Sequence, residues 1–224
     1  MTAAVRVHKH GGPEVLTYEQ IEIGAPGPGQ IKLKQHAAGV NYIDTYFRMG
    51  MYPSPVGLPF VSGNEGAGEV IAVGPNVTDL KVGDRVAYVV ALGAYAEERL
   101  MPADRAVKIP DGITYEQAAA MMLKGMTAEY LLRRTYKVQK GDNILVHAAA
   151  GGVGLILCQW GKALGATVIG TVGTEDKGKL AMANGCDHII YYRKEDFPTR
   201  VKEITKGELC AVVYDGIGKT TFPA

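Results

Sequence analysis

Cysteine, tryptophan and phenylalanine are scarce in this chain, at three, one and four of 224 residues. Cys158, Cys186 and Cys210 are odd in number, far apart and confined to the second half. That spacing excludes a disulfide framework and a cysteine metal cluster, and it suits a reducing compartment. Charge bias is also missing. Lys and Arg total 24 against 23 Asp and Glu, for a net charge of +1, and no dense basic run favours nucleic acid or an anionic membrane. Only residues 143–161, which carry no charged side chain, are long and apolar enough to suggest a bilayer span. His147 and the glycines 151, 152 and 154 inside that stretch argue for strand-turn-helix instead. The chain opens with the strand-like pattern of residues 2–8 rather than a basic-then-apolar leader. A soluble cytoplasmic protein is expected.

What is present changes texture near Asp111. Up to about Pro110 the chain reads as short strands cut by glycine and proline, such as residues 31–36, 66–73 and 85–90. The turns Gly74-Pro75-Asn76 and Lys81-Val-Gly-Asp84 separate them. This pattern predicts a small β-barrel-like domain. Beyond it, Thr114 caps a helix over 115–123, and a second helix over 127–135 follows a break at Gly125. Strands at 144–147, 167–171, 188–191 and 211–214 then alternate with helices at 154–164, 175–184 and 197–205. That order predicts a doubly wound parallel sheet. Four of the six strands of a full dinucleotide-binding sheet are legible, so the sheet is expected to be incomplete in this chain. The expected domains are residues 1–120 and 121–224.

The densest signal runs from Asn143 to Gly154: a buried strand ending in Ala149-Ala-Gly151-Gly152-Val153-Gly154 and opening into an apolar helix. Against G-x-G-x-x-G the first glycine is replaced by Ala149. Gly151 permits close backbone approach to a pyrophosphate and Gly154 close helix-strand packing. A preceding strand and a following helix place the pyrophosphate on the positive helix end. An NAD site usually has an acidic residue ending the second strand. Here Gly173-Thr174 end it and Lys177 follows, which suits a 2′-phosphate and predicts NADPH over NADH. Glu175 and Asp176 beside Lys177 leave a solvated surface as the competing reading.

The chain resembles the medium-chain dehydrogenase/reductase superfamily, and within it the zinc-independent, zeta-crystallin-like quinone oxidoreductases. Asn41, Asp44, Arg48, Gly50 and Tyr52 match the family's Asn-x-x-Asp-x-x-x-Arg-x-Gly-x-Tyr segment. Further matches are Gly63-Asn-Glu65-Gly-Ala-Gly68, Val82-Gly-Asp-Arg-Val86, Leu123-Lys-Gly-Met-Thr127, the glycine turn and Tyr191-Tyr192. The resemblance implies a GroES-like catalytic domain followed by a Rossmann domain, and a homodimer. It implies that Asn41 and Thr127 hold the nicotinamide end, and that Gly152 and Val153 meet the pyrophosphate. Gly173, Thr174, Lys177 and Tyr192 would surround the 2′-phosphate, while Asn41, Tyr46 and Tyr52 border the substrate.

Zinc-dependent relatives carry a Cys in the segment matching Asn41–Asp44 and a His before the Glu of the segment at Gly63–Gly68. This chain has no Cys there, and Asn64 stands where the His would be. No Cys precedes Cys158 to form a structural zinc lobe, so no zinc is expected. His8, His10, His36, His147 and His188 are scattered and read as structural or solvated. Without a Lewis acid, an acceptor that is already electrophilic is the easier substrate. The expected activity is NADPH-dependent quinone reduction by hydride or electron transfer from the nicotinamide, with Asn41, Tyr46 and Tyr52 as candidate donors. Reduction of a 2-alkenal or enoyl thioester is the enzymatic alternative. A non-catalytic, crystallin-like nucleotide-binding protein is the alternative of another class.

Overall fold

Short apolar runs interrupted by glycine and proline form short antiparallel strands in the first 110 residues. The computed structural model describes residues 1–222 and divides into two units, Met1–Leu123 and Lys124 onward. Pro223 and Ala224, which close the expected second domain, lie outside the described residues. The first unit contains β1 (Thr2–Val7), β2 (Leu16–Ile21), β3 (Gln30–Gly39), β4 (Phe60–Val61), β5 (Glu65–Val73), β6 (Arg85–Val89), β7 (Glu98–Pro102) and β8 (Ala106–Lys108). Three of them form a sheet in the order β2-β1-β4, and five form a sheet in the order β7-β3-β5-β6-β8. All of these pairings are antiparallel, as the GroES-like expectation requires.

The core of the larger sheet gathers Ile31, Leu33, Val70, Val86, Tyr88 and Met101. Glycine is demanded at position 68, where a Cβ would stand 2.3 Å from the Lys34 carbonyl oxygen of the neighbouring strand. At that distance only a hydrogen fits.

Residues 42–49 depart from the expected run of strands and turns by forming a helix, α1 (Tyr42–Met49). The Asp44 carboxylate reaches back to accept from the Asn41 N–H at 2.8 Å, and Gly50 closes the helix at φ 75°. An eight-residue helix is too short to display a clear apolar period. Its end signals, Asn-x-x-Asp and a following glycine, were the legible ones.

α2 (Tyr115–Tyr130) starts as expected: the Gln117 N–H donates to Thr114 Oγ1, and the Gln117 side chain accepts from the Thr114 N–H. The expected break at Gly125 is absent. The helix runs through it to Tyr130 and continues as a π turn, Leu131–Thr135. An interior glycine costs roughly 1 kcal/mol relative to alanine but blocks no hydrogen bond, so it need not end a helix.

The second unit then alternates β9 (Asn143–Val146), α3 (Gly152–Ala163), β10 (Thr167–Val172), α4 (Glu175–Ala183), β11 (His188–Tyr191), α5 (Phe197–Ile204) and β12 (Val212–Tyr214). The sheet order is β11-β10-β9-β12, with every pairing parallel. The order reverses between β9 and β12, a switch point whose carboxyl ends form the usual ligand crevice. Ile144, Val146 and Val168 join one core with Leu157 and Ala181, whereas Leu145 and Ile169 join another with Val201. Neighbouring residues thus bury opposite faces, and this is why β9 reads as an unbroken apolar run. No helix among the described residues is long and apolar enough to cross a membrane.

Candidate functional site

In the second unit the chain leaves β9 through His147 and Ala148, and Ala148 takes the left-handed conformation at φ 51°. Ala149, in the place of the first fingerprint glycine, is fully buried. Space for its methyl group comes from Gly170 on β10, where a Cβ would stand 2.6 Å from the Ala149 Cβ. The departure from the fingerprint is therefore compensated on the adjacent strand.

α3 begins at Gly152, two residues earlier than expected, with Gly151 as an N-cap that offers no side chain to the first turn. That turn also holds no acidic residue, and Gly151 and Gly152 are exposed. Open N–H groups at a positive helix end fit an anionic pyrophosphate. Gly154 is buried, and its closest neighbours are the carbonyls of Ala148 and Ala149.

At the end of β10, Gly173 leaves room for the residues that follow β11. A Cβ at Gly173 would lie 2.7 Å from Tyr192 Oη and 3.5 Å from Arg193 Nε. Thr174 caps α4, its hydroxyl accepting from the Lys177 N–H at 3.4 Å. Glu175 pairs with Lys194 and Asp176 with Lys179, so both acids beside Lys177 are turned to other lysines. Lys177 is exposed, and among the described residues it has no carboxylate partner. The structure thus brings Gly173, Thr174 and Tyr192 to one strand end, with Lys177 in the first turn of α4. Thr127 lies half-buried on α2.

His147 is buried at the carboxyl end of β9. Its Nδ1 lies 2.9 Å from Thr171 Oγ1, and its ring meets Phe197 edge-on at 4.9 Å. Burial holds its pKa below the usual histidine value, while Asp215 opposes the shift. An unfolded histidine takes up a proton near pH 6.5, before the folded one does, so folding loses stability as pH falls through that value. His147→Gln is expected to flatten the decline in urea-unfolding free energy between pH 7.5 and 5.

In the first unit, sequence reasoning passed over a buried carboxylate pair. Asp44 accepts from the Asn41 N–H, from Asn64 Nδ2 and, at 2.6 Å, from Tyr95 Oη. Burial, and secondarily this bond, raises the Tyr95 pKa far above the ordinary phenol value. Glu65 is fully buried and accepts from Asn41 Nδ2 and the Leu123 N–H, each at 2.7 Å. Asn41 is therefore held by both acids, one on its backbone and one on its amide. Asn64, where zinc relatives place a histidine, is engaged with Asp44. Among the described residues no group of three His, Cys, Asp or Glu is placed to hold a metal ion. Tyr46 and Tyr52 come together, their rings 5.4 Å apart and tilted by 57°. Tyr46 is half-buried and Tyr52 exposed.

Two family models match the chain: the alcohol dehydrogenase GroES-like domain over residues 27–111 and zinc-binding dehydrogenase over residues 152–224. A quinone oxidoreductase of Pseudomonas aeruginosa is 52% identical over 223 residues, covering 99% of this chain and 68% of the relative. The chain belongs to the quinone oxidoreductase family of medium-chain dehydrogenases/reductases. Within this family of oxidoreductases, the Escherichia coli quinone oxidoreductase solved in complex with NADPH is 49% identical with a TM-score of 0.96. That match covers 99% of this chain and 68% of the other. A 2-haloacrylate reductase from Burkholderia is 50% identical, covering 99% of this chain and 68% of that protein.

Proposed function

We propose that the chain reduces quinones with NADPH, without zinc. The likeness to a quinone oxidoreductase solved with NADPH, about half identical over nearly the whole chain, carries this reading. In the second unit, Gly152 and Val153 receive the pyrophosphate at the first turn of α3, while Gly151, whose N–H donates to the Ala148 carbonyl at 2.8 Å, and buried Gly154 shape the turn that holds it. Gly173, Thr174, Lys177 and Tyr192 border the 2′-phosphate, and Thr127 serves the nicotinamide end. In the first unit, Asn41, Tyr46 and Tyr52 serve the acceptor. When bound, NADPH supplies a hydride from its nicotinamide ring. Tyr46 and Tyr52 donate hydrogen bonds to the acceptor oxygen as it gains negative charge, and their rings flank a flat substrate. Glu65 fixes the amide of Asn41 so that it need not reorganise as the charge develops. A quinone is electrophilic enough to need no Lewis acid. Free Cys158, Cys186 and Cys210 suit a cytoplasmic setting, and the working form is a homodimer.

The test is NADPH oxidation with 1,4-benzoquinone, a short 2-alkenal, 2-chloroacrylate and an enoyl-CoA compared side by side. Benzoquinone is expected to turn over fastest. The Burkholderia relative favours an activated alkene as the second reading, and a faster rate with the alkenes would establish it instead. NADPH binding without oxidation by any acceptor would leave only the non-catalytic role. Tyr52→Phe is expected to lower kcat/KM for benzoquinone about tenfold, the loss of one transition-state hydrogen bond, with NADPH affinity unchanged. Unaltered quinone reduction removes Tyr52 from the mechanism.

A further inference from the structure

The residues after β11 carry a cation that the sequence reading did not select. β10 and β11 run in parallel register up to the pair Val172 and Tyr191, and the Tyr192 N–H donates to the Val172 carbonyl at 3.3 Å. This register sets Tyr192 and Arg193 beside Gly173, at the strand end where a dinucleotide's adenosine ribose is read. Both side chains fold over the glycine. Tyr192 Oη lies 2.7 Å, and Arg193 Nε 3.5 Å, from the position a Cβ on Gly173 would take.

The surrounding charges are sorted. Lys194 pairs with Glu175, Lys179 with Asp176, and Arg200 with both Glu195 and Glu203. Among the described residues, Arg193 and Lys177 have no carboxylate partner, so the excess positive charge at this strand end rests on these two. We propose that Arg193 is the principal reader of the 2′-phosphate and sets the preference for NADPH over NADH. This rests on the NADPH reading above. A guanidinium presents a planar fork that matches two phosphate oxygens, whereas the Lys177 ammonium is a point charge on a flexible stem. Gly173 keeps the approach open, since any side chain there would collide with the Tyr192 ring.

The test is a fluorescence titration of wild type, Arg193→Gln, Arg193→Lys and Lys177→Ala with NADPH and with NADH, alongside competition by 2′,5′-ADP and 5′-AMP. Arg193 is exposed, so the variants are expected to fold, and circular dichroism checks this. Arg193→Gln is expected to raise the NADPH Kd by about tenfold to a hundredfold and to leave NADH within about twofold. Arg193→Lys falls between, and Lys177→Ala produces the smaller loss. The advantage of 2′,5′-ADP over 5′-AMP should largely vanish in Arg193→Gln. Unchanged NADPH affinity in Arg193→Gln, or equal losses for both cofactors, overturns the assignment while leaving the NADPH reading intact. A wild type that binds neither NADPH nor 2′,5′-ADP overturns both.

Discussion

Gly154→Ala is expected to lower stability by about 3 kcal/mol or more, with a fall of roughly 6–12 °C in Tm. An alanine Cβ there would lie 2.3 Å from the Ala148 oxygen, 2.8 Å from the Ala149 oxygen and 2.9 Å from the Ala149 carbonyl carbon. All three are backbone atoms, and the residue is buried at the start of α3, so no flexible group can yield. The strand-to-helix turn must open, and the N–H groups of α3 move with it. NADPH binding should therefore weaken together with stability. Its neighbours supply the control. Gly152→Ala meets only the end of the Lys124 side chain, at 2.8 Å from Cδ, and Gly151→Ala meets the Ala148 oxygen at 3.1 Å. A side chain yields more readily than backbone, so Gly152→Ala should cost less than Gly154→Ala. Urea unfolding of the three variants measures the ranking. A Gly154→Ala protein as stable as wild type would show that the turn is not built by close backbone approach.

Glu65→Ala should have a similar or larger effect, for a different reason. The Glu65 carboxylate is fully buried, and its two oxygens accept from Asn41 Nδ2 and the Leu123 N–H. Truncation takes the carboxylate acceptor from both donors, at about 1–3 kcal/mol for a buried donor left unsatisfied, and leaves a void besides. A loss of about 3–5 kcal/mol is expected. Glu65→Gln keeps the shape but presents a donor to one of the two N–H groups, so its stability should lie between wild type and Glu65→Ala. Because Glu65 orients Asn41, kcat for quinone reduction should fall in Glu65→Gln while the NADPH Kd stays near wild type. Guanidinium unfolding together with steady-state kinetics reads both effects. Wild-type stability in Glu65→Ala would mean that those donors are satisfied without the carboxylate. The local geometry is already tight: a Cβ on Gly39 would stand 2.2 Å from Glu65 Oε1, so Gly39 is shaped around this acid.

Residue patterns disclosed the second unit more fully than the first. β9, β10, β11 and β12 are short and apolar because helices bury both faces of the sheet, and the helices after β10 and β11 carry side-chain caps. Thr174 and Asp196 accept from their N3 amides. In the first unit α1 stayed hidden, because eight residues of mixed character show no period and the capping pair spoke only at its ends. Gly125 misled for the opposite reason, since a helix flanked by strong formers tolerates one glycine. Of the candidate site, the glycine turn and the Thr174–Lys177 stretch stood out because local spacing displays them, whereas Tyr192 meets Gly173 only through the pairing of β10 with β11. The Asp44 and Glu65 network did not stand out, because it joins residues 20 to 58 positions apart through strand pairing. Arg193 was missed because its relation to Gly173 exists only through the register of β10 and β11.

The central claim is nicotinamide-dependent quinone reduction with no metal taking part. The most direct measurement is NADPH oxidation at 340 nm on adding 1,4-benzoquinone to protein dialysed against a chelator, with its metal content determined. The account predicts turnover undiminished by chelation, abolished when NADPH is omitted, and unchanged when Zn2+ is added back. Loss of activity on chelation with recovery on Zn2+ addition, or no NADPH oxidation in the untreated protein, would contradict it.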